Sequence, residues 1–278
     1  MIEKIGLGSV QFGLNYGISN SSGITEPKEV ARILDYARST GIELIDTAFG
    51  YGCSEEVLGK SDLQGFNIVS KFLPATKEYS VENQINTSLK RMQVSQFYGL
   101  LAHRPEDVVL HPEIWEYLVG LKNNKVVRKI GFSFNTPEEA DRVLGYGFIP
   151  DLIQVPFNYL DHRFLNIILL LKAKGCEIHT RSTFLQGLFF TDVNTLDGFF
   201  DEAKPAILEL HKHGPALPGL LLKYCLRKTF IDKVILGVNT QKQLSENIGS
   251  IKLDGNLGEP EVEIKHEILT PSKWPVKK

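Results

Sequence analysis

Eight short runs rich in apolar and β-branched residues recur along this chain, with stretches of helical periodicity between them. The candidate strands are Lys4–Gly8, Glu43–Thr47, Phe66–Lys71, Phe97–Ala102, Val127–Ser133, Leu152–Phe157, Glu177–Ser182 and Lys233–Gly237. The candidate helices are Pro27–Ser39, Val81–Met92, Pro112–Asn123, Pro137–Leu144, His162–Lys174, Pro218–Lys228 and Thr240–Ile248. Consecutive strands separated by a helix pair in parallel through a right-handed crossover. Repeated eight times, the unit either spreads into an open doubly wound sheet or closes into a (β/α)8 TIM barrel. The 278 residues suit the barrel. An open nucleotide-binding sheet would carry G-x-G-x-x-G after its first strand, or a G-x-x-x-x-G-K-[ST] loop, and neither is present. The expected architecture is an α/β protein with one TIM-barrel domain over residues 1–278, its polar, proline-containing tail 252–278 packing on the barrel.

Local signals agree with these elements. Thr136-Pro137-Glu138-Glu139 places a cap, a first-turn proline and acids near the positive end of the helix dipole. Glu26-Pro27-Lys28-Glu29 does the same with a weaker cap, and Gly41 and Gly175 fall just past helix ends. A net charge of −2 gives no global field to draw the protein to nucleic acid or a membrane. Three widely spaced cysteines, Cys53, Cys176 and Cys225, argue against a disulfide framework and a zinc site, and fit a reducing compartment. The start, MIEKIGLGSV, lacks the apolar stretch of a signal peptide, and the most apolar run, Phe164–Leu171, is too short to cross a bilayer. His211 and His213 are two residues apart on a helix and do not face one ligand. A cytoplasmic protein without metal, membrane or nucleic-acid partners is expected.

Barrels of this class carry their reactive groups at the C-terminal ends of the strands. Asp46 ends the second strand and Tyr51 follows in Phe49-Gly50-Tyr51-Gly52; Lys71 ends the third strand and His103 the fourth. Each has a plainer use when taken alone. A strand-end aspartate caps helices, a tyrosine among glycines packs a loop, lysine is usually solvated, and a lone histidine is more often structural. Together they matter more, because an ammonium held by a carboxylate favours the charged form of a nearby phenol.

The runs Leu44-Ile45-Asp46-Thr47-Ala48-Phe49-Gly50-Tyr51-Gly52, Ser54-Glu55-Glu56-Val57-Leu58-Gly59, Ser70-Lys71-Phe72, Ser88-Leu89-Lys90-Arg91 and His103-Arg104-Pro105 resemble, in order, the signatures of the aldo-keto reductases. Gly6-Leu7-Gly8-Ser9, Ile130-Gly131-Phe132-Ser133 and Gln154-Val155-Pro156-Phe157-Asn158 are similar to that family's first, fifth and sixth strand motifs, so the resemblance covers Lys4 to about Ile251. It implies hydride transfer between a nicotinamide dinucleotide and an aldehyde, ketone or sugar-like carbonyl. Tyr51 would be the general acid, Lys71 the cation that supports its phenolate, Asp46 the holder of Lys71, and His103 a hydrogen-bonding partner of the substrate oxygen. Gly8 belongs to the implied cofactor set, and Ser133 and Gln154 would meet the carboxamide. Arg181, Ser182, Phe184, Leu185, Gln186 and Gly187 would form the loop under the nicotinamide and pyrophosphate. Gly237, Val238, Asn239, Gln243, Glu246 and Asn247 would hold the adenosine end, with the N-terminus of helix Thr240–Ile248 aimed at phosphate.

The chain departs from the family pattern in places. Phe134 follows Ser133 where an asparagine is usual, with Asn135 one place later, and Arg181 stands where an aromatic residue stacks on the nicotinamide. Asn239 and Gln243 occupy adenosine-loop positions where arginines are expected, leaving Lys242 as the nearby base. NADP(H) follows from the resemblance, with NAD(H) as the alternative. Phe49, Phe72, Phe134 and Phe184 are candidates for an apolar substrate wall. Two competing readings are a nucleotide-binding regulatory protein with little turnover, against which the intact tetrad tells, and a metal-dependent barrel enzyme. The latter would need more strand-end carboxylates and histidines than Asp46 and His103.

Overall fold

The computed structural model describes residues 1–18, 20, 22–260 and 262–275. Its strands are β1 (Ile5–Gly8), β2 (Leu44–Asp46), β3 (Asn67–Phe72), β4 (Phe97–Ala102), β5 (Val127–Ser133), β6 (Leu152–Pro156), β7 (Glu177–Arg181) and β8 (Lys233–Gly237). They close a parallel barrel in chain order, β1 pairing with both β2 and β8. The helices are α1 (Pro27–Ser39), α2 (Ser54–Leu58), α3 (Val81–Met92), α4 (Pro105–Leu110), α5 (Glu113–Asn123), α6 (Pro137–Gly145), α7 (Leu165–Ala173), α8 (Lys204–His211), α9 (Leu217–Leu226) and α10 (Gln241–Ser250). The chain is a single-domain (β/α)8 TIM barrel, as its alternation predicts. Short helices α2, α4 and α8 match none of the expected ones, because one or two turns are too few for a periodic pattern to stand out. Thr136 caps α6 as expected, its hydroxyl accepting from Glu139 N, and Gly41 and Gly175 take positive φ.

Strand parity organises the core. Successive side chains on a strand face opposite sides of the sheet. Leu44, Val69, Leu101, Leu152 and Ile235 meet inside the barrel. Their neighbours Ile45, Ile68, Leu100, Ile153 and Val234 join a larger outer layer with helix residues such as Ile33, Ile85, Leu118 and Leu244. Two residues further along the inward rows come Asp46, Lys71, His103, Gln154 and Gly237. The barrel interior thus changes from apolar to polar at the C-terminal ends of its strands. Toward the opposite end, Glu177 accepts from Tyr98 Oη (2.6 Å), pairs with His179 Nε2 (2.7 Å) and contacts Lys129. Burial works against the Glu177 carboxylate, but these partners hold its pKa down to about 2.

A second apolar cluster lies beside the barrel. It joins Leu185, Leu188 and Phe189, after β7, to Ile207 and Leu210 of α8, Leu217 and Leu221 of α9, and Ile264, Ile268 and Leu269 of the tail. Arg163, held by Asp161 at 2.9 Å, donates to Leu269 O and Thr270 Oγ1, both at 3.1 Å. Of the tail expected to pack on the barrel, positions 261 and 276–278 lie outside the described residues. Among the described residues no helix is long and apolar enough to cross a membrane.

Candidate active site

A cavity of about 630 Å³ opens at the C-terminal ends of the strands, within the size range of small-molecule sites. At its floor sits a buried charged group. Lys71 Nζ donates to Asp46 Oδ2 at 2.7 Å and to Thr47 O at 2.9 Å, and lies 3.5 Å from Tyr51 Oη. The other oxygen of Asp46 accepts from Gln154 Nε2 at 2.7 Å. Burial opposes the Lys71 ammonium, but the facing charge of Asp46, with Tyr51, outweighs it and raises the lysine's pKa. Lys71 therefore stays charged. His103 meets Tyr51 edge-on, their ring centroids 5.8 Å apart. Burial pushes the His103 pKa down to about 3, helped by the positive charges of Lys71, Arg181 and Arg104, so its imidazole is neutral near pH 7. Its Nδ1 is buried without a partner among the described residues.

Backbone contact sets the position of Tyr51. A Cβ on Gly13 would lie 1.9 Å from Tyr51 O, and one on Gly52, at φ +57°, would lie 2.4 Å from Gly13 O. Only glycine allows the loop after β1 to press this closely on the loop after β2. The junction is tied by Ser54 Oγ, 2.9 Å from Ser9 O and 2.8 Å from Ser9 Oγ. Below it, buried Glu55 accepts from Ser70 and Ser88, each at 2.9 Å, joining α2 to β3 and α3.

The loop after β7 carries unusual backbone. Ser182, Leu185 and Gln186 all have positive φ, a costly conformation for residues with side chains. Leu185 anchors the loop by full burial in the second apolar cluster. Gln186 reaches across to the β1 loop, donating to Tyr16 Oη at 2.8 Å, while Ile18 N donates to Gln186 O at 3.2 Å. Before this loop, Arg181 Nη2 donates to Asn135 Oδ1 (2.7 Å) and Phe134 O (3.0 Å). The α6 cap steadies that acceptor, because Asn135 N donates to Glu139 Oε2 at 2.7 Å.

Most residues expected at the site face this one cavity. Asp46, Tyr51, His103, Gly8, Gln154, Arg181, Ser182, Phe184, Gln186, Gly187, Gly237, Val238, Asn239, Gln243, Glu246 and Asn247 all line it. Three do not. Lys71 lies beneath it, Leu185 is turned into the apolar cluster, and Ser133 is buried beside Gln154 in the strand register. Of the candidate wall aromatics only Phe184 lines the cavity. Phe72 and Phe134 sit on outward rows and pack in the helix-facing layer, whereas Phe49 packs against Tyr79 and Arg91. The lining also includes Gln11, Leu14, Tyr16 and Asn20 from the long β1–α1 loop, and Asn135, Thr183 and Phe190. Of these, Asn135 and Thr183 lie in segments the sequence reading had already singled out, whereas the β1–α1 loop residues and Phe190 escaped it. The signal for the β1–α1 loop residues was the length of an aperiodic interval after a barrel strand, where ligands commonly bind.

The cavity's chemistry suits a dinucleotide. Gln154 Oε1 and Gln11 Oε1 are buried and unpartnered among the described residues, although the great majority of such groups in proteins are satisfied. The lining extends from Tyr51, after β2, to Glu246 and Asn247 on α10. The N-terminus of α10 is less open to phosphate than its position suggests. Gln243 N is taken by Thr240 Oγ1 at 3.1 Å and Gln241 N by the Glu29 carboxylate at 2.8 Å. Gln243 Oε1 itself accepts from Asn239 N at 2.7 Å. His211, at the end of α8, shares a hydrogen bond with Phe189 O (2.9 Å), and no cluster able to hold a metal ion occurs among the described residues.

The chain is similar to known proteins along its length. It is 24% identical to the L-galactose dehydrogenase of Arabidopsis thaliana, covering 99% of this chain and 93% of that protein. To the aldo-keto reductase YhdN of Bacillus subtilis it is 26% identical, over 60% of this chain and 54% of the relative. Its fold matches the aldo-keto reductase AKR11C1 of Bacillus halodurans in its holo form with a TM-score of 0.72, at 21% identity, covering 92% of this chain and 88% of that one. The model of the aldo/keto reductase family matches residues 4–267. That match runs from before the first strand into the tail, and the chain belongs to the aldo/keto reductase family of oxidoreductases.

Proposed function

We propose that this protein reduces an aldehyde, ketone or sugar-like carbonyl with a nicotinamide dinucleotide, NADP(H) first and NAD(H) as the alternative, using Tyr51 as the general acid. The observation that carries the proposal is the Lys71 ammonium, held between the Asp46 carboxylate and the Tyr51 phenol at the cavity floor. A free phenol loses its proton near pH ~10 and exchanges it slowly at neutrality without help. In reduction the carbonyl oxygen takes the Tyr51 proton as the carbon gains hydride. The phenolate left behind is offset by Lys71 until a proton returns from solvent. Neutral His103 would hydrogen-bond the substrate oxygen and orient it. The bound nicotinamide supplies the hydride, chemistry that no side chain provides. Gln154 Oε1 offers an acceptor for its carboxamide, the 182–187 loop and Gly237 offer close backbone approach, and Asn239, Gln243, Glu246 and Asn247 line the far end. The name of the Arabidopsis relative favours an aldose-like substrate.

Replacing Tyr51→Phe removes the proton donor and leaves the ring in place. Turnover, followed by nicotinamide absorbance with NADPH and NADH over a panel of aldehydes, ketones and aldoses, should fall by about 10²–10⁴-fold, with dinucleotide affinity close to wild type. Retained turnover would take the acid role away from Tyr51.

A further inference from the structure

Arg181 is the one lysine or arginine among the described residues lining the cavity. Two carboxylates share that lining, and neither serves it. Asp46 is committed to Lys71, and Glu246 lies at the far end, 3.7 Å from Lys242 on its own helix. Among the described residues Arg181 has no ion-pair partner. The groups that hold it, Phe134 O, Asn135 Oδ1 and more loosely Ser182 Oγ at 3.5 Å, are all neutral. Both Nη2 protons are used. The Nε proton and one on Nη1 have no acceptor among the described residues. With His103 neutral and Asp46 cancelled by Lys71, the reacting end of the cavity carries one uncompensated positive charge on a pre-oriented, planar fork. A half-buried guanidinium without a counterion favours an anion from the ligand, and its geometry suits an oxyacid.

We infer that Arg181 is a specificity-determining residue that receives an anionic oxyacid group of the substrate, a carboxylate or a phosphate, and that the preferred substrate is an acidic carbonyl compound, such as a uronic acid or a semialdehyde acid. The inference rests on the proposal that Tyr51 marks the reacting end of the cavity. The competing source of the same chemistry is the phosphate of the dinucleotide, and the two sources respond differently to one substitution.

The test compares matched pairs differing only in the acid: galacturonate with galactose, succinic semialdehyde with butanal, and an aldose phosphate with the free aldose. Wild-type kcat/KM should favour the acidic member by about tenfold or more, the size of a charge-assisted hydrogen bond. In Arg181→Gln that ratio should fall toward one, and Arg181→Lys, which keeps the charge but loses the fork, should fall between. Dinucleotide Kd, measured by fluorescence titration in each variant, separates the sources. If both members of a pair lose equally while dinucleotide affinity weakens, Arg181 serves the cofactor and the inference is wrong. Equal wild-type preference for acid and neutral members also overturns it. If no pair is turned over at all, the reductase proposal fails separately, and calorimetric titration of galacturonate and galactose into the protein with NADPH still decides. Tighter binding of the acid that is lost in Arg181→Gln supports the inference, and equal binding refutes it.

Discussion

Replacing Lys71 with methionine tests the buried charge pair most directly. The substitution keeps most of the side chain's volume, so the cavity term that dominates core truncations is small. The electrostatic loss remains. Asp46, 3% exposed, would keep its 2.7 Å bond from Gln154 but lose the 2.7 Å ammonium on its other oxygen, and Thr47 O would lose its donor. Removing one member of a buried ion pair costs about 3–5 kcal/mol, because the partner is stranded in a poorly polarisable interior. The Gln154 bond places the expected value toward the lower end, near ~3 kcal/mol. The sign of the pH dependence follows from the raised lysine pKa. The pair's contribution is fully present below the unfolded lysine value and is lost only as pH rises through the higher folded one, so the whole deficit should be visible at pH 7. Urea unfolding of the wild type, Lys71→Met, Asp46→Asn and the double variant gives the coupling. The double variant should be more stable than the sum of single losses implies, by about 1–3 kcal/mol. A Lys71→Met deficit below about 1 kcal/mol, the range of solvated surface pairs, would refute this account. So would strict additivity.

Two further outcomes are expected. His103, its pKa pushed down to about 3, should remain neutral in imidazole NMR spectra down to pH 5, and because the unfolded chain takes up that proton first, stability should erode by up to about 1.4 kcal/mol per pH unit as pH falls from about 6.5 toward 3. His103→Gln should flatten that slope, and an imidazole titrating near 6.5 in the folded protein would contradict it. Gln243→Arg, which adds a base where the helix amides are already engaged, should shift the ratio of NADP(H) to NAD(H) affinity toward NADP(H) in equilibrium titrations; an unchanged ratio would place the 2′-phosphate elsewhere.

Much of the fold was legible because it is periodic. Each strand of a closed parallel barrel is buried on both faces and each long helix on one, so both leave a pattern in the chain. Strand ends shifted by at most one residue, while five- and six-residue helices such as α2 and α4 left no pattern to find. The tetrad was legible for a related reason. Its members stand at strand ends or, for Tyr51, in the loop just after one, where the chain order of a barrel dictates their neighbourhood.

What the sequence alone determined is therefore the barrel, its order, and the end at which Asp46, Tyr51, Lys71 and His103 gather. Tertiary structure decided which side chains reach the cavity. Phe134 and Ser133 are neighbours of Asn135, yet strand parity and burial withhold them while Asn135 lines the cavity and braces Arg181. The crossing from Gln186 to Tyr16, and an Arg181 charge that no carboxylate among the described residues pairs, also arise only there. Each depends on loops distant in sequence meeting over the same space, and no local preference of the chain records such a meeting.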